Sequence, residues 1–184
     1  MLEGFDIGQF WSRSRSLLDD LFVDDPLTEE KITSTEIDLG YRLPRAYIAI
    51  ARVQNGGVPR KVRHPTRTGN GWSPDVITIE GIFAIGSRTD YSLCGRFGSR
   101  FYIDDWGYPP LGVYFAECPS EAHEMLCLDY QAVGPDGEPR VVHVDQERDY
   151  RITPVAPDFE TFLRALELET AEQGPNADRN FPSR

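Results

Sequence analysis

The chain is short of most features that mark a membrane, secreted or cofactor-dependent protein. No apolar run in its 184 residues approaches the roughly 20 that span a bilayer, and Glu3 and Asp6 stand where a secretory leader would be basic and then apolar. A cytoplasmic protein is expected. The three cysteines, Cys94, Cys118 and Cys127, are odd in number, widely spaced and without a C-x-x-C pair, which argues against a disulfide framework and a spaced zinc motif. Buried reduced thiols are expected instead. G-x-S-x-G, H-E-x-x-H, Walker A and dinucleotide fingerprints are all missing. No catalytic residue, cofactor or metal ligand set is therefore assigned, and no metal is expected to be needed for folding. Positive charge is scarce as well: 19 Lys and Arg against 30 Asp and Glu leave a net charge of -11. That balance opposes direct binding to nucleic acid or to an anionic membrane and is compatible with a basic protein partner.

What is present centres on LGYRLPRAYIAIARVQNGG, from Leu39 to Gly57. Gly40 suits a left-handed helix stop, and Pro44 suits the first turn of the next helix and pushes Leu43 extended. Tyr47, Ile48, Ile50 and Ala51 then form a broad apolar stripe, and Asn55, Gly56 and Gly57 tolerate positive φ. Upstream, Thr28 offers an N-cap with Glu29 and Glu30 in the first turn, predicting a helix to Leu39. Ile32, Glu36 and Leu39 share one face of it, so Glu36 requires a partner, either a backbone donor near Tyr41 to Leu43 or a basic side chain.

The leucine-proline pair, the tyrosine three residues after the proline and the NGG turn resemble the Smi/Knr family of the SUKH superfamily. Further landmarks follow in the family's order: GIFAIGS from Gly81, LCLDY from Leu126, VVHVDQE from Val141 and APDFETFL from Ala156. The resemblance runs from about Leu27 to Leu166. It implies an α+β fold and an interaction module, and bacterial members look like immunity proteins that neutralise toxins, often nucleases. A protein partner, in particular a basic toxin domain, is thus implied. A regulatory scaffold for a non-toxin partner is the alternative, and a small hydrolase built on Asp129, His143 and Asp145 is a third reading.

Read in order, Phe10, Trp11, Leu17, Leu18, Leu21 and Phe22 predict an amphipathic helix within an extension, residues 1–26, laid on a domain of residues 27–168. The basic run Arg60, Lys61, Arg63, His64 and Arg67 sits among prolines and glycines and reads as a solvated loop or edge. Val76 to Ile79 and Ile82 to Ile85 predict one bulged strand or two short ones. Ser99 is a potential cap for a short helix reaching Trp106, followed by a strand over Leu111 to Glu117. Glu124 to Tyr130 and Arg140 to Asp145 predict an antiparallel hairpin joined at Pro135, Asp136 and Gly137. Phe159, Phe162, Leu163 and Leu166 mark a last helix opened by Ala156 and Pro157. Residues 169–184 are polar and aperiodic and read as a flexible tail. Helices at both ends with strands between them predict a single α+β domain with a mainly antiparallel sheet.

Strand alternation places Leu126, Leu128, Tyr130, Val142 and Val144 inward, and Cys127, Asp129, His143 and Asp145 outward with Glu147 beyond. A metal or acid/base site there has no supporting spacing, so a structural or partner-binding role is favoured. Cys118 near His123 rests on proximity in sequence alone. An acidic partner-binding surface is expected from Asp104, Asp105, Glu117, Glu121, Glu124, Asp145 and Glu147, with Trp106 as aromatic anchor.

Overall fold

The structure is a computed structural model that describes residues 2–13, 19–66, 76–120 and 123–168, without the side chains of residues 19 and 20. In chain order it forms α1 (Asp19–Phe22), α2 (Glu29–Leu39), α3 (Arg45–Val53), β1 (Arg63–Pro65), β2 (Val76–Thr78), β3 (Gly81–Ile82), α4 (Ser99–Asp104), β4 (Gly112–Glu117), β5 (Glu124–Asp129), β6 (Arg140–Asp145), β7 (Arg151–Ala156) and α5 (Phe159–Ala165). Strands β3-β4-β5-β6-β7 make one five-stranded antiparallel sheet in sequence order, and β1 pairs with β2 in a second. This is an α+β arrangement.

Local chemistry accounts for the helices. Thr28 accepts a hydrogen bond from the Lys31 amide at 3.2 Å, and Gly40 closes α2 at φ 79°. Glu36 Oε1 accepts from the Leu43 amide at 2.9 Å and its Oε2 from Arg42 at 2.7 Å, tying α2 to the next turn. Pro44 lies just before α3 with ψ 138°, outside its first turn, because the extended Leu43–Pro44 segment serves as the cap. Tyr47 then drives its ring between Phe115 and Phe159 and donates its hydroxyl to Phe83 O at 2.6 Å. Asp158 caps α5 through the Thr161 amide at 2.7 Å, while Ala156, read from sequence as part of that helix, ends β7.

At NGG the backbone is spent on tertiary contacts. Buried Asn55 accepts from the Ile85 amide at 2.8 Å and donates to Ile85 O at 2.9 Å and Asp25 O at 3.1 Å, standing in for a strand partner. A Cβ on Gly56 would sit 2.2 Å from Phe22 O, so only glycine fits. Gly57 exchanges both backbone hydrogen bonds with Ile82, at 3.0 and 2.9 Å, covering the outer side of β3.

Several expectations are corrected. Phe10 and Trp11 are not helical: Arg60 N bonds Phe10 O at 2.8 Å and Ser12 N bonds Val58 O at 2.9 Å, a strand-like pairing that removes those groups from any helix. Leu17 and Leu18 lie outside the described residues, as do Arg67 and residues 169–184. The stretch Val76 to Ile85 divides between the two sheets at Glu80. Gly98, not Ser99, caps α4; Ser99 Oγ instead accepts from the Tyr114 amide at 2.9 Å, beside the bulge that displaces Phe115 from the β4–β5 register. His64, in β1, is buried and stacked on Phe162 at 5.3 Å. Strand β7 escaped sequence reading because Pro154 interrupts it, a residue tolerated here since β7 is an edge.

Candidate functional site

Directly opposed residues of an antiparallel pair share a face. β5 and β6 pair Glu124 with Asp145, Leu126 with His143, Cys127 with Val142 and Asp129 with Arg140. The expected parity is therefore wrong between the two strands: His143 shares a face with Leu126, and Val142 with Cys127. The cause is burial on both sides. Every residue of β4 and β5 is buried, so alternation in the sequence carries no register information.

Asp129 consequently parts from His143 and Asp145. Its Oδ2 takes two hydrogen bonds from Arg140, at 2.8 and 2.7 Å, and its Oδ1 accepts from the Gln131 amide at 3.0 Å. It is a satisfied structural carboxylate at the far end of the hairpin. The hydrolase constellation of Asp129, His143 and Asp145 is not assembled.

At the near end a different group forms. Cys118, just past β4, donates its amide to Glu124 O at 3.1 Å, and Glu124 faces Asp145 across the strand pair. His143 is fully buried, with Nε2 3.9 Å from Glu124 Oε2 and neither ring nitrogen within hydrogen-bond reach of a partner. Asp145, expected to point outward, is buried as well; its Oδ2 has no hydrogen bond and lies 3.5 Å from Arg148 Nε. Burial, followed by the nearby charges of Glu124, Glu117, Glu80 and Asp145, pushes the Cys118 thiol well above its ordinary range. The thiol is therefore protonated and poorly nucleophilic, contrary to what a cysteine hydrolase needs.

Glu117 is also buried and so is withdrawn, with Glu124 and Asp145, from the expected partner surface. Desolvation raises its pKa to about 7, a hydrogen bond from Tyr102 at 2.5 Å opposes the rise, and Glu80 adds to it. Glu121 lies outside the described residues.

What remains at the surface is compact. Asp104 and Asp105, at the end of α4, and Glu147, after β6, are exposed, while Trp106 is half-buried. The Trp106 ring stands 6.1 Å from that of His123, whose Nδ1 lies 3.1 Å from Glu147. Tyr150 donates its hydroxyl to Trp106 O at 2.5 Å, so the turn after β6 is bolted to the end of α4. That turn holds Asp149 and Tyr150 at φ 57° and 53°, a left-handed pair without glycine. Neither that strained turn nor the hydrogen bond from Tyr150 to the Trp106 carbonyl carries a sequence signal.

The profile of the SMI1/KNR4 family (SUKH-1) matches residues 26–165. The chain belongs to the SMI1/KNR4 family. The matched span opens just before α2 and closes at the last residue of α5. The segment ahead of it nevertheless packs Phe10, Trp11 and Phe22 into the same core. No curated protein and no solved structure matches the chain. SMI1/KNR4 membership is consistent with an interaction module that binds another protein, and among the described residues no helix is long and apolar enough to cross a membrane.

Proposed function

We propose that this SMI1/KNR4 chain is a non-catalytic immunity protein of the cytoplasm, which binds a toxin domain carrying a basic groove, such as a nuclease, and blocks it. The observation that supports this most directly is the exposed acidic edge of Asp104, Asp105 and Glu147 around Trp106 and His123. An enzyme that grips phosphates presents positive charge at its groove, and a protein of net charge -11 is steered toward it before contact. Occlusion then requires no chemistry from the inhibitor. Trp106 supplies an aromatic surface of the kind that dominates binding energy, on a stretch of backbone whose carbonyl Tyr150 fixes.

The experiment is a capture of the partner from the native host, followed by association and dissociation rates. Asp105→Lys combined with Glu147→Lys is expected to slow association at least tenfold at low salt and by much less at high salt, because rim charges act on the encounter. Trp106→Ala is expected to accelerate dissociation instead. Association rates indifferent to both salt and charge reversal would remove the acidic edge from the mechanism.

A further inference from the structure

The buried polar end of the main sheet carries chemistry that partner binding at the surface does not use. Cys118 Sγ, a Glu124 carboxylate oxygen and a His143 ring nitrogen lie within 4.8 Å of one another, and all three residues are buried. They come from three neighbouring strands, so the sheet ladder itself holds them: Cys118 follows β4, Glu124 begins β5 and His143 sits within β6. Zinc binds sulfur at about 2.3 Å and nitrogen or oxygen at about 2.0 to 2.2 Å, so a tetrahedral shell sets its donors about 3 to 4 Å apart. The 3.9 Å between His143 Nε2 and Glu124 Oε2 already meets that spacing.

A second observation points the same way. His143 is fully buried, and both of its nitrogens are without a hydrogen-bond partner among the described residues; His64 shares that condition, but its ring is stacked on Phe162, whereas His143 has a carboxylate oxygen of Glu124 3.9 Å away. A buried imidazole with nothing to donate to or accept from is costly unless its lone pair has another acceptor. Asp145 Oδ2, directly across the strand pair from Glu124, likewise lacks a hydrogen bond, with Arg148 Nε 3.5 Å away as its ion-pair partner. Glu124 and Asp145 thus place two carboxyl groups at an interior end of the sheet where a dication would be accommodated.

We propose that Cys118, Glu124 and His143 form a binding site for a divalent transition metal of borderline softness, with Zn(II) the first choice. One thiolate, one imidazole and one carboxylate suit zinc or cobalt, whereas calcium and magnesium want oxygen alone. Three protein ligands leave a fourth tetrahedral position for water or an exogenous donor. On binding, the thiol S–H bond breaks, the proton leaves to solvent and a sulfur–metal bond forms, with no change of oxidation state. The rest of the core is a continuous apolar cluster, so the metal is expected to add to the stability of the fold and not to be required for it.

The full-length chain, stripped with chelator, is titrated with Co(II) and then with Zn(II). The expected result is one equivalent of Co(II), a thiolate-to-cobalt charge-transfer band with d–d bands of tetrahedral intensity, and displacement of both by Zn(II). Cys118→Ser abolishes the charge-transfer band and weakens Zn(II) binding at least tenfold. Cys127→Ser, whose thiol shares the other face with Val142, leaves both unchanged. X-ray absorption at the zinc edge of the wild-type complex, which needs no variant to fold, shows one sulfur among nitrogen and oxygen neighbours. Failure of cobalt to saturate, a band that survives Cys118→Ser, or a zinc shell without sulfur would each overturn the site.

Discussion

Asn55 and His143 are both buried polar side chains, and the fold treats them in opposite ways. Asn55 makes three hydrogen bonds to backbone and joins α3 to the strand-like segment at Ile85; His143 makes none, with both ring nitrogens sealed inside the sheet. The first is a polar residue used as structure, because each of its polar atoms replaces a lost contact with water. The second is expected to add little to the stability of the metal-free chain. A buried polar group that the fold does not satisfy calls for an explanation, which stacking on Phe162 supplies for the equally unpaired His64 and the proposed metal supplies for His143.

The comparison can be broken at its stable end first. Gly56→Ala, next to Asn55, drives a Cβ against Phe22 O at 2.2 Å and is expected to cost more than about 4 kcal/mol or to prevent folding. Asn55→Leu leaves the amide and carbonyl of Ile85 unpaired and is expected to cost about 3 kcal/mol or more. Urea unfolding midpoints check both.

Glu117 sharpens the contrast through pH. Its carboxyl rises from an ordinary 4.5 to about 7 on folding, so the folded state holds a proton that the unfolded state has lost. The associated stability is complete below pH 4.5, declines as pH rises and is gone above about 7, a loss of up to about 3 kcal/mol. Glu117→Gln keeps an acceptor for Tyr102 and removes the titration, so its stability relative to wild type should increase by that amount between pH 4.5 and pH 8. A constant difference across that range would show that Glu117 ionises freely.

Smaller effects follow. Glu36→Ala leaves the Leu43 amide without its acceptor and is expected to cost about 1 to 3 kcal/mol, read from the same unfolding curves. His143→Leu, in metal-free protein, is expected to change stability by less than about 1 kcal/mol, since it removes an unsatisfied group and keeps the volume. A loss near that of Asn55→Leu would show that His143 is held by the fold after all.

The same contrast separates what was legible in the sequence from what was not. Thr28, Gly40 and the stripe of α5 are local signals, readable because a cap or a helical period involves residues within one turn of one another. The hairpin of β5 and β6 was legible for a similar reason, through its turn. Its facing was not, since EMLCLD is buried on both sides and offers no alternation to read. Cys118 and Glu124 meet His143 only through strand register, and nothing in their spacing of six residues announces it. That continuous apolar run was itself the available signal, since it marks a strand covered on both faces. The exposed edge at Trp106 was half legible: Asp104 and Asp105 were visible as charge, but the tyrosine that binds Trp106 in place comes from 44 residues away.

The two borders of the main sheet have a bearing on how copies of this chain behave together. Along one border, the outward groups of β3 are already occupied by Gly57; along the other, β7 is interrupted by the exposed Pro154, which has no N–H to offer. Neither border is a template on which a second molecule can lay a strand and pass the pattern on. Ribbon growth, the usual hazard of an antiparallel sheet at high concentration, is disfavoured at both ends by residues that serve other purposes, a helix stop and a strand break.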